Sequence, residues 1–155
     1  MYNWWVFIHI VGVVGFVLSH GTSAGMALRL RHERNPDRIR VLLQISSSSL
    51  GIFYISTLVL LVGGIAAGIQ GHWFDFGWIW AALATFVVTM ILMYVIASPY
   101  YRRIRKVMTI EETGSSAVGP DEIQAVLASP RPMLLTVIGS AALLFIIYLM
   151  VLKPF

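Results

Sequence analysis

The stretch Trp4-Trp5-Val6-Phe7-Ile8-His9-Ile10-Val11-Gly12-Val13-Val14-Gly15-Phe16-Val17-Leu18-Ser19-His20-Gly21-Thr22-Ser23-Ala24-Gly25-Met26-Ala27-Leu28 contains no Asp, Glu, Lys or Arg, and its only ionisable groups are two histidines. A hydrocarbon core about 30 Å thick is crossed by roughly 20 apolar residues in a helix, so this stretch is long enough to span a bilayer. Three more stretches without a charge follow, at about residues 43–69, 78–98 and 133–152. Lipid offers the backbone no hydrogen bonds, and the runs lack the polar alternation of a barrel strand, so all four are expected to be helices. The expected fold is all-α: a four-transmembrane-helix bundle forming a single integral membrane domain over residues 1–155, with a cytoplasmic loop at 99–132. A chain that is 58% hydrophobic and 12% charged lies outside the range of soluble domains.

Orientation follows from the loops. Arg29, Arg31, Arg34, Arg38 and Arg40 fall in the first connection, and Arg102, Arg103, Arg105, Lys106 and Arg131 in the third, against Lys153 alone on the opposite side. Ten against one is a strong positive-inside bias, so both termini are expected outside and loops 1 and 3 inside. Trp4, Trp5, Trp73, Trp78 and Trp80 then collect at the outer interface and Tyr100 and Tyr101 at the inner one, where amphipathic rings belong. The net charge of +4 is thereby topological and calls for no nucleic acid. Nothing basic precedes the first apolar run, so it is expected to be a retained helix and not a cleaved signal peptide. The expected location is a bacterial cytoplasmic (inner) membrane, multi-pass. With no cysteine there is no disulfide framework, no thiolate metal site and no covalent haem attachment.

Between the helices, Asn35-Pro36-Asp37 reads as a turn and helix start, and Gln70 to Gly77 is short enough to make an antiparallel hairpin. Thr113-Gly114-Ser115-Ser116 reads as a linker. Gly119-Pro120-Asp121-Glu122 starts a short surface helix through Ala128, with Pro at the first helical position and acids in the first turn.

The two histidines are the chemistry-bearing feature. Eleven residues is close to three turns, so His9 and His20 project to nearly the same side, about 20° apart and roughly 16 Å apart in depth. Ionisable groups inside a bilayer are costly and default to a functional reading. His9, Gly12, Val13, Phe16, Ser19, His20 and Ser23 recur on that side, with Gly15 beside it. Neutral imidazole is a common axial ligand of haem iron and binds copper or zinc, so His9 and His20 are candidate metal ligands, with Gly12, Phe16, Ser19, Ser23 and Ser48 lining the cofactor. The plain alternative is packing: buried histidines are often only hydrogen-bonded, and Gly21-x-x-x-Gly25 and Ser19-x-x-x-Ser23 are spacings that pack membrane helices. Ser46, Ser47, Ser48 and Ser49 on helix 2 match the depth of His20; they either bond their own backbone or form a polar pocket for haem propionates, with Arg38 and Arg40 below. No other membrane stretch holds a histidine, so a bis-histidine haem requires a second subunit, such as a two-fold homodimer. His72 with Asp75 supplies two surface ligands, which do not make a site; His32 reads as solvated, and Met90 and Met93 as core.

The first helix, His9-Ile10-Val11-Gly12-Val13-Val14-Gly15-Phe16, followed by a basic loop and three further helices, resembles the small four-helix bacterial predicted integral membrane proteins of unknown function. That group stands near the copper-resistance D family and the membrane protoporphyrinogen oxidases that bind haem b. The resemblance implies a non-covalent haem b or copper. The oxidases set basic residues inside the bundle, and the four apolar stretches here hold no Lys or Arg.

Three functions follow. The first is a haem b-binding protein for electron transfer or haem handling, possibly homodimeric. The second is a non-catalytic small subunit or assembly factor of a larger membrane complex, and the third is transport of copper or another metal. With no nucleophile-base-acid arrangement and no phosphate-binding loop, the chain is not expected to be an enzyme by itself.

Overall fold

The computed structural model describes residues 1–113 and 120–155, with side chains described outside 108–122. The elements are α1 (Tyr2–Leu30), α2 (Pro36–Gln70), a single 3-10 turn (Trp73–Asp75), α3 (Gly77–Thr113), α4 (Pro120–Leu127) and α5 (Arg131–Leu152). Four helices are long and apolar enough to cross a membrane, and there is no strand among the described residues. The fold is the expected all-helical one.

Local chemistry sets the helix ends. The side chain of Asn35 accepts from the backbone N–H groups of Asp37 and Arg38, with Pro36 as the first helical residue, so α2 starts well before its apolar stretch and carries Arg38 and Arg40. Arg40 pairs with Asp37 at 2.8 Å. At the other end the chain turns at His72, whose left-handed backbone (φ 55°) reverses direction ahead of the 3-10 turn. Helix α3 does not stop at residue 98. It runs through Pro99 to Thr113, so much of the expected loop 99–132 is helix. Proline lacks the N–H that would reach the carbonyl one turn back, a defect membrane helices tolerate. The expected short helix is α4, while the Gly114-Ser115-Ser116 linker lies outside the described residues.

Packing divides the bundle into two pairs. Helix α1 lies along α2 and α3 along α5, while α1 and α5 share a short contact. The first pair is held close by small residues. Gly12 sits against the backbone of Leu60, Gly15 against the Ser56 hydroxyl, and a Cβ on Gly63 would stand 2.6 Å from the His9 nitrogen. Gly21 and Gly25, expected as a packing motif, meet nothing within 4 Å.

The buried core is split between the two ends. At the basic end Leu30, Ile39, Leu43, Tyr100, Ile104 and Leu127 pack together, α4 supplying Ile123, Val126 and Leu127. Gln124 of α4 donates to the Glu33 carbonyl at 2.9 Å, tying that helix to the first connection. At the aromatic end Trp78, Ile79, Ala82 and Leu149 form a second cluster with Trp73 and Phe74 beside it. Trp78 is 2% exposed, so at this end it packs as core. The backbone N–H of Trp78 donates to the Phe155 carbonyl, folding the segment after α5 over this end.

Candidate functional site

Each pair turns one stripe of side chains toward the other. In α1 the stripe is Val6, His9, Val13, Phe16, His20 and Ser23; in α3 it is Phe86, Met90, Met93, Ala97, Tyr101 and Arg105. Both recur every three or four residues, one face of a helix. Between the stripes lies a cleft of about 950 Å³, which runs from Tyr2, Trp73 and Lys153 at the aromatic end to Tyr101, Arg102 and Arg105 at the basic end. That volume is in the range of small-molecule and cofactor sites, about 300–1,000 Å³.

His9 and His20 both line this cleft. The Nδ1 of His9 lies 2.8 Å from the carbonyl oxygen of Leu60. A carbonyl only accepts, so Nδ1 carries the proton and the neutral ring keeps its lone pair on Nε2. That nitrogen has no hydrogen-bond partner among the described residues. Gly64 makes the arrangement possible, because a Cβ there would come within 2.7 Å of Nδ1. His20 stacks on Phe16, centroids 6.0 Å apart and planes 10° from parallel, and neither ring nitrogen has a partner among the described residues. Its ring lies against Gly139 of α5, where a Cβ would stand 2.8 Å from Nε2 and 3.1 Å from the Met93 methyl. Each imidazole therefore meets a glycine of another helix.

The other expected site residues separate. Phe16, Ser19 and Ser23 line the cleft, but Gly12 faces α2 and helps to pack α1 against it. Ser19 is occupied locally, donating to the carbonyls of Gly15 and Phe16 at 2.8 and 3.0 Å. Ser23 and Ser46 share a hydrogen bond of 3.1 Å across the α1–α2 contact. Ser48 stands outside the cleft, exposed, and donates to the Gln44 carbonyl of its own helix. In a helix, residues two apart face different sides, so Ser46 and Ser48 do not share a lining. Ser47 reaches the cleft and accepts from Arg105 Nη2 at 2.7 Å.

The expected cations also move. Arg40 is engaged with Asp37 and neither it nor Arg38 lines the cleft; Arg102 and Arg105 do, carried there by the continuation of α3 past Pro99. Sequence reasoning missed these two because it ended the helix at Ser98; a helix continued past Pro99 would have brought Tyr101 and Arg105 after Ala97 at four-residue spacing, with Arg102 further round the helix. Met90 and Met93 face the cleft as well. Among the described residues there is no group of three or more His, Asp or Glu able to hold a metal ion, so His72 and Asp75 stand by themselves. The histidine face lines the cleft between the two helix pairs.

A family model described as predicted integral membrane protein, DUF2269, matches residues 4–154. The chain belongs to that family. The match to DUF2269 covers all four membrane-spanning helices and both histidines. It agrees with the resemblance of the first helix and basic loop to small membrane proteins of unknown function. No curated protein and no solved structure matches the chain.

Proposed function

We propose that the protein binds haem b in the cleft, with His9 as axial ligand, and serves electron transfer or haem handling. The observation that carries this reading is the Nδ1 to Leu60 carbonyl bond of 2.8 Å. Metal-bound histidines donate their second ring N–H to just such an acceptor, which fixes the tautomer and raises the basicity of the ligating nitrogen. The residues fit the group: one imidazole whose Nδ1 is engaged by a carbonyl and whose Nε2 has no partner among the described residues, and an aromatic wall at Phe16, Phe53 and Phe86. Bound haem would supply one-electron redox chemistry. His9 would hold it, Gly64 keeps room for the ring, and the apolar lining keeps water away. The loop charges support a bacterial cytoplasmic membrane with the basic end inward.

Ligand replacement tests this. His9→Gly should lose the Soret band and recover it when imidazole is added, because the added ring occupies the vacated position. Retention of the full band in His9→Gly without imidazole contradicts the assignment.

A second reading is favoured by one contact. The His20 Nε2 and the Met93 methyl both lie beside Gly139, and thioether with imidazole suits Cu(I). It predicts stoichiometric copper without porphyrin, lost in Met93→Leu.

A further inference from the structure

We propose that the section of the cleft between Phe16 and Gly139 binds a lipid-dissolved quinone, with the His20 ring N–H and the Thr89 hydroxyl donating to its carbonyl oxygens. The proposal holds whatever His9 binds, since His20 lies about 16 Å further along α1. A hydroxyl on a membrane helix has no water to bond and ordinarily turns back on its own backbone. Thr22, Thr57, Thr85 and Thr136 do so, each donating to the carbonyl four residues earlier. Thr89 does not: it lines the cleft, and its hydroxyl has no hydrogen bond among the described residues. Two contacts fix its place. Phe86, three residues before it on α3, lies against Phe16 with ring centroids 6.1 Å apart, and Met93, four residues after it, lies with the His20 ring beside Gly139. Thr89 therefore faces the same stretch of the cleft as Phe16 and His20, whose ring nitrogens are likewise without a partner among the described residues. A neutral imidazole offers one donor and a threonine hydroxyl another. The neighbouring lining, Phe16, Phe53, Phe86 and Met93, is uncharged and largely aromatic. An occupant without acceptors would leave both donors unmet in apolar surroundings, and an anion would be set there without a counter-charge. A flat, uncharged body carrying carbonyl oxygens meets both conditions, which is the chemistry of a quinone.

The full chain in phosphatidylcholine nanodiscs is titrated with menadione, a tailless naphthoquinone, and with 2-methylnaphthalene, the same ring system without carbonyls, and binding is counted above that of protein-free discs. The chain has no cysteine, so the quinone finds no thiol to alkylate. Menadione should bind saturably, and Thr89→Val and His20→Phe should each weaken it about three- to tenfold, the loss of one hydrogen bond. Thr85→Val, one turn away with its hydroxyl held by the Ala81 carbonyl, should leave it unchanged. Binding of 2-methylnaphthalene should be the same in Thr89→Val as in the wild type. Absence of saturable menadione binding by the wild type overturns the proposal, because the ester carbonyls of the disc lipid then compete successfully for the donors. Undiminished menadione binding in either variant also overturns it. An equal loss of both compounds in Thr89→Val does the same, by reducing the hydroxyl to a matter of shape. Thr89→Val breaks no hydrogen bond within the described residues, so it decides the matter even if His20→Phe fails to fold.

Discussion

An imidazole that is to hold a ligand needs a partner on one edge and room beside it, and at His9 both come from α2. The Leu60 carbonyl takes the Nδ1 proton and Gly64 leaves the space, a Cβ there coming within 3.0 Å of Cε1. Gly64→Ala should push the ring off its carbonyl. Losing that bond is worth about 0.5–1.5 kcal/mol, so haem affinity should fall up to about tenfold by titration. Gly21→Ala, which meets open space, should leave affinity unchanged. Gly139→Ala should disturb His20 in the same way, and ultraviolet resonance Raman of the histidine modes would report it. At this scale the sequence was legible where periodicity carried the information. His9, Phe16, His20 and Ser23 share a face because their spacing demands it. The partners were not legible, since nothing local to His9 says that Leu60 and Gly64 come to lie beside it. The run of four serines illustrates the same limit. Depth alone puts Ser46 to Ser49 together, but the helix turns Ser48 outward while Ser46 and Ser49 are buried.

Among the elements, α3 and α4 do the most to shape the basic end. The continuation of α3 beyond Pro99 carries Tyr100, Ile104 and Val107 into one cluster with Leu127 of α4, which has no exposed surface. Leu127→Ala should therefore cost about 2–5 kcal/mol and lower the thermal midpoint in detergent. Exposed Ala125 on the same helix should tolerate substitution. The α1–α2 contact depends on the absence of side chains. Gly63→Ala would set a methyl 2.9 Å from the His9 Cα and force the helices apart, an overpacking cost of about 1–3 kcal/mol that also displaces His9. The start of α2 was readable from Asn35-Pro36-Asp37, because capping is a local signal. The length of α3 was not, because hydropathy falls at Ser98 while the helix goes on, and its arginines look like loop residues until the helical period is continued.

At the scale of the whole molecule, the two buried clusters sit at the ends and the cleft runs between two helix pairs. The four long helices are apolar on nearly every side, as membrane helices are, so their sequence does not announce which face looks inward. Four helices and their topology could be read from composition and charge; the pairing of α1 with α2 and α3 with α5, and hence the cleft, required the structure. His20 lies about 16 Å along α1 from His9, too far to share an iron. A haem on His9 in the monomer should therefore be five-coordinate, high-spin and open to carbon monoxide. A low-spin spectrum indifferent to carbon monoxide would call for a ligand from a second subunit. The central claim is that this cleft holds haem b through His9. It is tested most directly by the reduced-minus-oxidised absorption spectrum of the purified protein, with pyridine haemochrome quantification, beside that of His9→Ala. The account predicts about one haem b per chain in the wild type and none in the variant. A wild-type protein without haem, or a variant with an undiminished haem spectrum, would contradict it.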